Sequence, residues 1–97
     1  MTTHSVDRRA LITWFVRELS KSQQERPRRQ GVTESRELEW EVFERTTLLE
    51  LINAERAKLS KPPVDMTAVM RVEYSAVGYF DYTRTLALGA TDLVLAD

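Results

Sequence analysis

Histidine and cysteine, the residues that most often bind transition metals in proteins, are nearly absent from this sequence. The only histidine is His4, and the 97 residues include no cysteine. Thiolate zinc sites, iron–sulfur clusters, disulfides and thiol nucleophiles are therefore excluded. The three glycines are scattered, so they cannot form a glycine-rich phosphate loop. The sequence predicts a protein that is not an enzyme and has no catalytic residue, metal ion or cofactor.

Three glutamates recur at helical spacing and could supply oxygen ligands to a hard metal ion. They are Glu37, Glu41 and Glu44. The alternative is a solvated helix face with local ion pairs, because Arg45 follows Glu41 by four residues in the favourable order. We prefer this second interpretation, because local pairing accounts for the acidic residues without a metal ion.

One carboxylate falls where an apolar side chain is expected. Glu73 lies near the middle of the apolar face of a predicted helix, and Arg45, Arg56 and Arg84 are the arginines that could neutralise it. A buried carboxylate is tolerated only when it is paired and hydrogen-bonded. We therefore predict a buried ion pair that fixes the packing register, with a polar pocket as the alternative interpretation.

Basic residues are concentrated in the first third of the chain. Residues 1–33 contain seven Lys or Arg against three Asp or Glu. Possible phosphate contacts are Arg8, Arg9, Arg26, Arg28 and Arg29. A small DNA-binding regulator that uses these arginines is the alternative function. The net charge of −1 and the isoelectric point near 5.9 do not favour nucleic acid as the partner.

The composition is typical of one compact domain. The chain is 42% hydrophobic and 30% charged, with three glycines and three prolines, and it is too short for two independent cores. No apolar run reaches the length of a membrane span, and the first residues lack a secretory pattern. We expect a single domain over residues 1–97, located in the cytoplasm and without membrane contact.

Apolar periodicity predicts four helices. Capping residues, prolines or glycines bound them: from Ser5 to before Pro27, from Thr33 to about Ser60, from Asp65 to Gly78, and from Asp81 onward. The expected fold class is all-α, with a long central second helix. The alternative is an α+β fold with a C-terminal β-meander over 69–76, 79–88 and 92–96, because apolar and polar residues alternate from Met70 to Ala76.

The predicted second helix is apolar on two opposite sides. One side carries Leu38, Val42, Leu48, Leu49, Ile52 and Leu59. The other side includes Trp40, Phe43, Leu51 and Ala54, a set called the α2 strip below. The short last helix has too little surface to cover this strip, and exposed strips of this kind mark interfaces. We therefore predict a homo-oligomer with its interface on the α2 strip.

Part of the chain, from residue 40 to residue 95, resembles small uncharacterised helical proteins of bacteria and their phages. The resemblance rests on Trp40, Glu44-Arg45, Asn53, Pro62-Pro63-Val64, Arg71-Val72-Glu73, Gly78-Tyr79-Phe80-Asp81-Tyr82 and Leu86-Ala87-Leu88. Tyr79 stands where that group would carry a histidine. The resemblance implies helices in the C-terminal half and a phage or prophage setting, but no activity.

These observations together predict a non-enzymatic protein–protein interaction or assembly module. A phage-encoded virion component or a host-directed inhibitor would fit that description. The expected partner is another protein or a second copy of the chain, and no small-molecule substrate is implied.

Overall fold

A computed structural model describes residues 7–24 and 34–97, with side chains from residue 42 onward in the second range. It contains α1 (Arg8–Gln24), α2 (Glu34–Lys58), α3 (Met66–Ala76) and α4 (Tyr82–Leu95), and the described residues form no strand. The all-α prediction is confirmed. The β-meander is wrong, because a helix places both Val69 and Ala76 in the core where a strand would separate them. No helix in the described ranges is long and apolar enough to cross a membrane.

Aspartate side chains begin the last two helices, as the sequence predicts. The Asp65 carboxylate accepts a hydrogen bond from the Ala68 backbone N–H at 3.1 Å. The Asp81 carboxylate accepts one from the Arg84 backbone N–H, also at 3.1 Å. Each carboxylate satisfies a backbone donor that has no partner within its helix.

The first helix begins later than predicted. It starts at Arg8, and the Asp7 carboxylate accepts the backbone N–H of Arg9 at 3.0 Å. Asp7 therefore takes the capping role that the sequence assigned to Ser5, because its side chain reaches the same kind of free donor. Ser5 itself and Thr33, the predicted cap of α2, lie outside the described residues.

Among the described residues, α4 is the helix with the most extensive packing. It packs against α1, α3 and α2, whereas α1 packs chiefly on α4. The buried residues of α4 are Leu86, Ala87, Ala90, Thr91 and Val94. Small side chains such as Ala87 and Ala90 let neighbouring helices approach closely. The prediction of a long central α2 is not confirmed, since α4 lies at the centre of the described packing.

The remaining core residues come from the helices around α4. They are Leu11, Phe15 and Leu19 of α1, Leu48 and Ile52 of α2, and Val69 and Ala76 of α3. Their spacing by four or seven residues places each set on one side of its helix. Trp14 meets Phe15 edge-on, with ring centroids 5.0 Å apart, at the margin of this core.

An asparagine fixes the connection between α2 and α3. The Asn53 side-chain amide donates to the Val64 carbonyl at 3.1 Å, and its oxygen accepts the Val64 N–H at 2.8 Å. The side chain thus pairs with Val64 as a neighbouring backbone segment would. This double hydrogen bond holds the segment after Pro63 against α2, so α3 starts beside α2 and runs antiparallel to it.

Gly89 marks the closest approach between α3 and α4. A Cβ atom placed on this residue would lie 2.6 Å from Cγ1 of Val72. The neighbour that approaches Gly89 so closely is a side chain and not a backbone segment. Val72 is β-branched and has little rotamer freedom within a helix, so it cannot easily move aside.

We expect Gly89→Ala to destabilise the protein by about 1–2 kcal/mol through overpacking, although alanine favours helix by about 1 kcal/mol over glycine. In a Val72→Ala background the same change should become neutral or stabilising, because the obstructing methyl group is gone. Urea unfolding of the four proteins of this cycle measures both effects. A stabilising Gly89→Ala in the otherwise unchanged chain would show that Val72 gives way.

Candidate functional site

Glu73, for which the sequence predicts a buried ion pair, pairs with Arg45. Nε of Arg45 donates to the two oxygens of Glu73 at 2.9 and 3.1 Å, and Nη2 donates to Oε1 at 2.7 Å. The two side chains retain 22% and 18% of their exposure. A guanidinium that faces a carboxylate through two nitrogens fixes orientation as well as distance. The pair therefore sets how α2 and α3 lie against each other.

Arg56, a second predicted partner of Glu73, has a different role. It follows Arg45 by eleven residues, about 16 Å along the axis of α2, and so lies toward the opposite end of the helix. Its side chain is buried, with 2% exposure. Among the described residues its hydrogen-bond partners are backbone carbonyls, Pro62 at 2.6 Å, Leu93 at 2.6 Å and Ala96 at 2.8 Å.

Lys61 completes this arrangement at the C-terminal end of α4. Its ammonium donates to the carbonyls of Leu95 at 2.6 Å and Ala96 at 2.9 Å. The last carbonyls of a helix have no partner within it and carry partial negative charge, which cations near the C-terminus stabilise. Arg56 and Lys61 thus fasten the end of α4 to α2 and to the connection that follows α2.

Arg84, the third predicted partner of Glu73, lies on the side of α4 that faces α1, and not on the side that faces α3. It is exposed and faces α1 across a groove of about 470 Å³. The groove is lined by Arg9, Ile12, Thr13, Val16 and Arg84. Because α3 and α1 pack on different sides of α4, a side chain directed toward α1 does not reach Glu73.

The predicted α2 strip is not one continuous exposed surface. Phe43 and Ala54 are exposed, whereas Leu51 is half-buried and packs against the core. The correction for Leu51 follows from its position one residue before the fully buried Ile52, on the margin of the core-facing side. The Trp40 side chain lies outside the described residues.

Exposed apolar side chains gather instead where α3 ends and α4 begins. Tyr74, Val77, Tyr79 and Phe80 are all exposed, and we call this set the apolar corner. Val42 is also exposed and lies at the same end of the molecule. Arg45 and Glu73 pair at the same level of the two antiparallel helices. Val42 lies about one turn before Arg45 and Val77 about one turn after Glu73, so both are displaced from the pair in the same direction. The sequence analysis did not predict this exposed group.

A sequence signal for the apolar corner does exist. Residues 74–80 form an uncharged run, Tyr-Ser-Ala-Val-Gly-Tyr-Phe, in a chain with 30% charged residues. Gly78, with φ of 90°, turns the backbone within this run. Because α3 ends at Ala76 within this run, Val77, Tyr79 and Phe80 lie beyond the helix, and Tyr74 lies in its last turn.

The possible phosphate contacts, and the glutamates considered as metal ligands, are only partly within the described residues. Arg8 forms an ion pair with Asp92 at 2.7 Å, and Arg9 lines the groove beside α1. The remaining basic residues of this set, Arg26, Arg28 and Arg29, lie outside the described residues, as do the side chains of Glu37 and Glu41. In the described part of the chain, no three His, Asp or Glu side chains are grouped to hold a metal ion.

Comparison of the chain with protein-family models, curated proteins and solved structures gives no match. The resemblance to small helical proteins of bacteria and phages therefore stays a prediction. Function has to be inferred from the geometry of the corner, the groove and the buried cations.

The Arg45–Glu73 pair should show measurable coupling. We expect a double-mutant cycle with Arg45→Ala and Glu73→Ala to give an interaction energy of about 1–2 kcal/mol, because both groups are largely shielded from water. The matched control is the Arg8–Asp92 pair, whose side chains are 51% and 64% exposed. That pair should give at most about 1 kcal/mol. Equal coupling in the two cycles, measured by urea unfolding, would contradict a special role for Glu73.

Loss of the Arg56 guanidinium should weaken the fold more than any surface substitution. Arg56→Met keeps length and helix propensity but leaves the Pro62 and Leu93 carbonyls without this donor. An unsatisfied buried polar group costs about 1–3 kcal/mol, so we expect a total loss of about 2–4 kcal/mol in the free energy of unfolding. Lys58→Met, at an exposed position of the same helix, is the control. A change below about 0.5 kcal/mol for Arg56→Met would show that water replaces the guanidinium.

Proposed function

We propose that the protein is a non-enzymatic interaction and assembly module that associates with a second copy of itself. The observation that carries this proposal is the apolar corner. Its four residues are each more than half exposed, and Tyr79 and Phe80 are adjacent in the chain. Contiguous apolar surface rimmed by polar residues marks sites of association, and aromatic residues are enriched there.

Charges frame the apolar corner without entering it. Glu73 on one side is engaged by Arg45, and Asp81 on the other caps α4. The residues between them are uncharged. Burial of this surface against a partner therefore removes apolar area from water without desolvating a free charge, which is the favourable case for association.

The proposed assembly also involves the long helix α2. We assign α2 the role of a long helix that is central to the assembly, with the exposed Val42 and Phe43 close to the corner. A two-fold contact lets each copy present the same surface to the other, so a modest patch is used twice. An assembly module of this kind suits a virion component or a host-directed inhibitor.

The alternative function, a small DNA-binding regulator, has less support. The Arg8 side chain is engaged by Asp92, and Asp7 lies next to it in sequence at the start of α1. Carboxylates beside the arginines repel phosphate groups and reduce the electrostatic attraction that non-specific DNA binding requires. The interaction module is therefore the function that the described residues favour.

Charge placed at the apolar corner should dissociate the assembly. We expect light scattering after size exclusion, at micromolar concentration, to give a mass of at least twice 11.2 kDa for the unchanged protein. The double variant Val77→Asp/Phe80→Asp should elute as a monomer with an unchanged helical circular dichroism spectrum, because both side chains are exposed within a single copy.

The control for this experiment is Ala57→Asp, which adds a charge at an exposed position of α2 toward the other end of the molecule. It should leave the mass unchanged. Trp40→Glu and Phe43→Glu test whether the α2 strip shares the contact. A mass near 11.2 kDa for the unchanged protein at every concentration rules out self-association.

A further inference from the structure

A groove of about 380 Å³ lies between α3 and α4, and we call it the α3–α4 groove. Val72 meets Gly89 at the middle of the groove. Ser75 and Thr85 line the end nearer to the apolar corner, and Ala68 lines the opposite end. The volume falls within the range of protein binding pockets.

The polar groups of this groove are already engaged within the same copy, with one exception among the described residues. The Ser75 hydroxyl donates to the Arg71 carbonyl at 2.8 Å, and the Thr85 hydroxyl donates to the Asp81 carbonyl at 2.8 Å. The Asp92 carboxylate forms an ion pair with α1. The exception is the exposed Arg71 guanidinium, which has no ion pair or hydrogen bond in the described part of the chain. A suitable occupant is therefore apolar and carries a negative charge at its edge.

The apolar corner contains a side chain of this kind. Phe80 has a relative exposure of 108%, the highest value among the exposed apolar residues of the described chain. The next residue is Asp81, which is also exposed. Its Oδ1 accepts the Arg84 backbone N–H, whereas its Oδ2 has no partner among the described residues. An aromatic ring with a carboxylate beside it matches an apolar groove that has an arginine at its rim.

The positions of Phe80 and the groove suit a contact between two copies. Phe80 does not enter the groove of its own copy, because its side chain is fully exposed. The middle of the groove at Gly89 lies about 10 Å along α4 from the start of that helix at Tyr82. Two copies that lie side by side in opposite directions can therefore place each Phe80 at the groove of the other. Such a two-fold contact uses both features twice.

We propose that the α3–α4 groove receives the Phe80 side chain of a second copy, with Arg71 at the rim facing Asp81 of that copy. This inference rests on the proposed self-association and specifies what the apolar corner contacts. Phe80 is the anchor of the interface, and Val77 and Tyr79 cover its edge. Aromatic anchors that fill a pocket on the partner carry a large share of the binding energy.

Negative charge placed inside the groove should weaken association. Ala68→Glu/Thr85→Glu adds two carboxylates at opposite ends of the groove, where they repel Asp81 and are costly to bury against an aromatic ring. Both positions lie in the first turns of their helices, where acidic residues are favourable, so the helical circular dichroism spectrum should not change. We expect the variant to associate about tenfold more weakly than the unchanged protein in light scattering and sedimentation.

The matched control is Ala10→Glu/Thr67→Glu. It adds the same two charges at exposed first-turn positions of α1 and α3 that do not line the groove. This control should associate as strongly as the unchanged protein. Equal association of the groove variant and the control would exclude the groove as the site.

Loss of the anchor should be coupled to the change in the groove. Phe80→Ala should weaken association by about the same factor as Ala68→Glu/Thr85→Glu. Combining the two changes should cause little further loss, because both remove the same contact. Full additivity of the two losses would show that Phe80 and the groove act at separate places.

Single cysteines can locate the contact, because the chain contains no cysteine of its own. Tyr79→Cys lies beside the anchor, and Ser75→Cys lies at the exposed rim of the groove. We expect a mixture of these two variants, treated with a short bismaleimide, to give crosslinks that join Tyr79→Cys of one copy to Ser75→Cys of the other. Peptide mass spectrometry identifies these crosslinks. A mixture with Ala57→Cys in place of Ser75→Cys is the control, and equal yields in the two mixtures would contradict the proposal.

Failure of this inference differs from failure of the proposed function. If the unchanged protein associates and the groove variant associates equally well, Phe80 does not enter the groove, while self-association stands. A monomer at every concentration overturns the proposed self-association and this inference together.

Discussion

The buried guanidinium of Arg56 is the interaction on which the arrangement of the helices depends. It belongs to α2, binds the carbonyl of Pro62 in the connection to α3, and binds the carbonyls of Leu93 and Ala96 at the end of α4. One side chain thus joins α2 and the connection that follows it to the end of α4, which lies 37 to 40 residues further along the chain. A buried cation with 2% exposure is costly unless its donors are satisfied, so the carbonyls must stay where they are.

Two further polar contacts position α3 at different points along α2. Asn53 holds Val64 near one end of α3, and Arg45 holds Glu73 near the other. Apolar packing alone tolerates sliding and rotation of helices, whereas directional hydrogen bonds do not. These contacts determine which end of the molecule carries the apolar corner, and how far the start of α2 extends past it.

Much of this fold follows from the sequence, and the exceptions have physical reasons. Asp65 and Asp81 predict their helices because a capping carboxylate acts on backbone only three residues away. The central position of α4 could not be predicted, since Ala87 and Ala90 give a weak hydrophobic signal although both are fully buried. Their contribution is to allow close approach, which depends on neighbours that the local sequence does not specify.

In the candidate site, too, some features follow from the sequence and others depend on packing. The sequence identifies Glu73 as a carboxylate on an apolar helix face, but it offers three arginines that could neutralise this charge. Only the packing of the helices determines that Arg45 forms the ion pair. Arg56 could not be assigned, because its acceptors are backbone carbonyls, which every residue carries. The apolar corner was missed because Tyr74, Tyr79 and Phe80 have the composition of core residues, and exposure depends on which helix ends nearby.

The attachment of α1 has a consequence for the motions of the molecule. This helix packs chiefly on α4, and its polar ties are the exposed Arg8–Asp92 pair and the hydrogen bond from Thr83 to Gln23. In contrast, half-buried hydrogen bonds join α2 both to α3 and to α4. Segments with few cross-links open at lower free energy than the rest of a protein. We therefore expect amide hydrogens of α1 to exchange faster than those of α4, which packs against the other three helices in the described part of the chain.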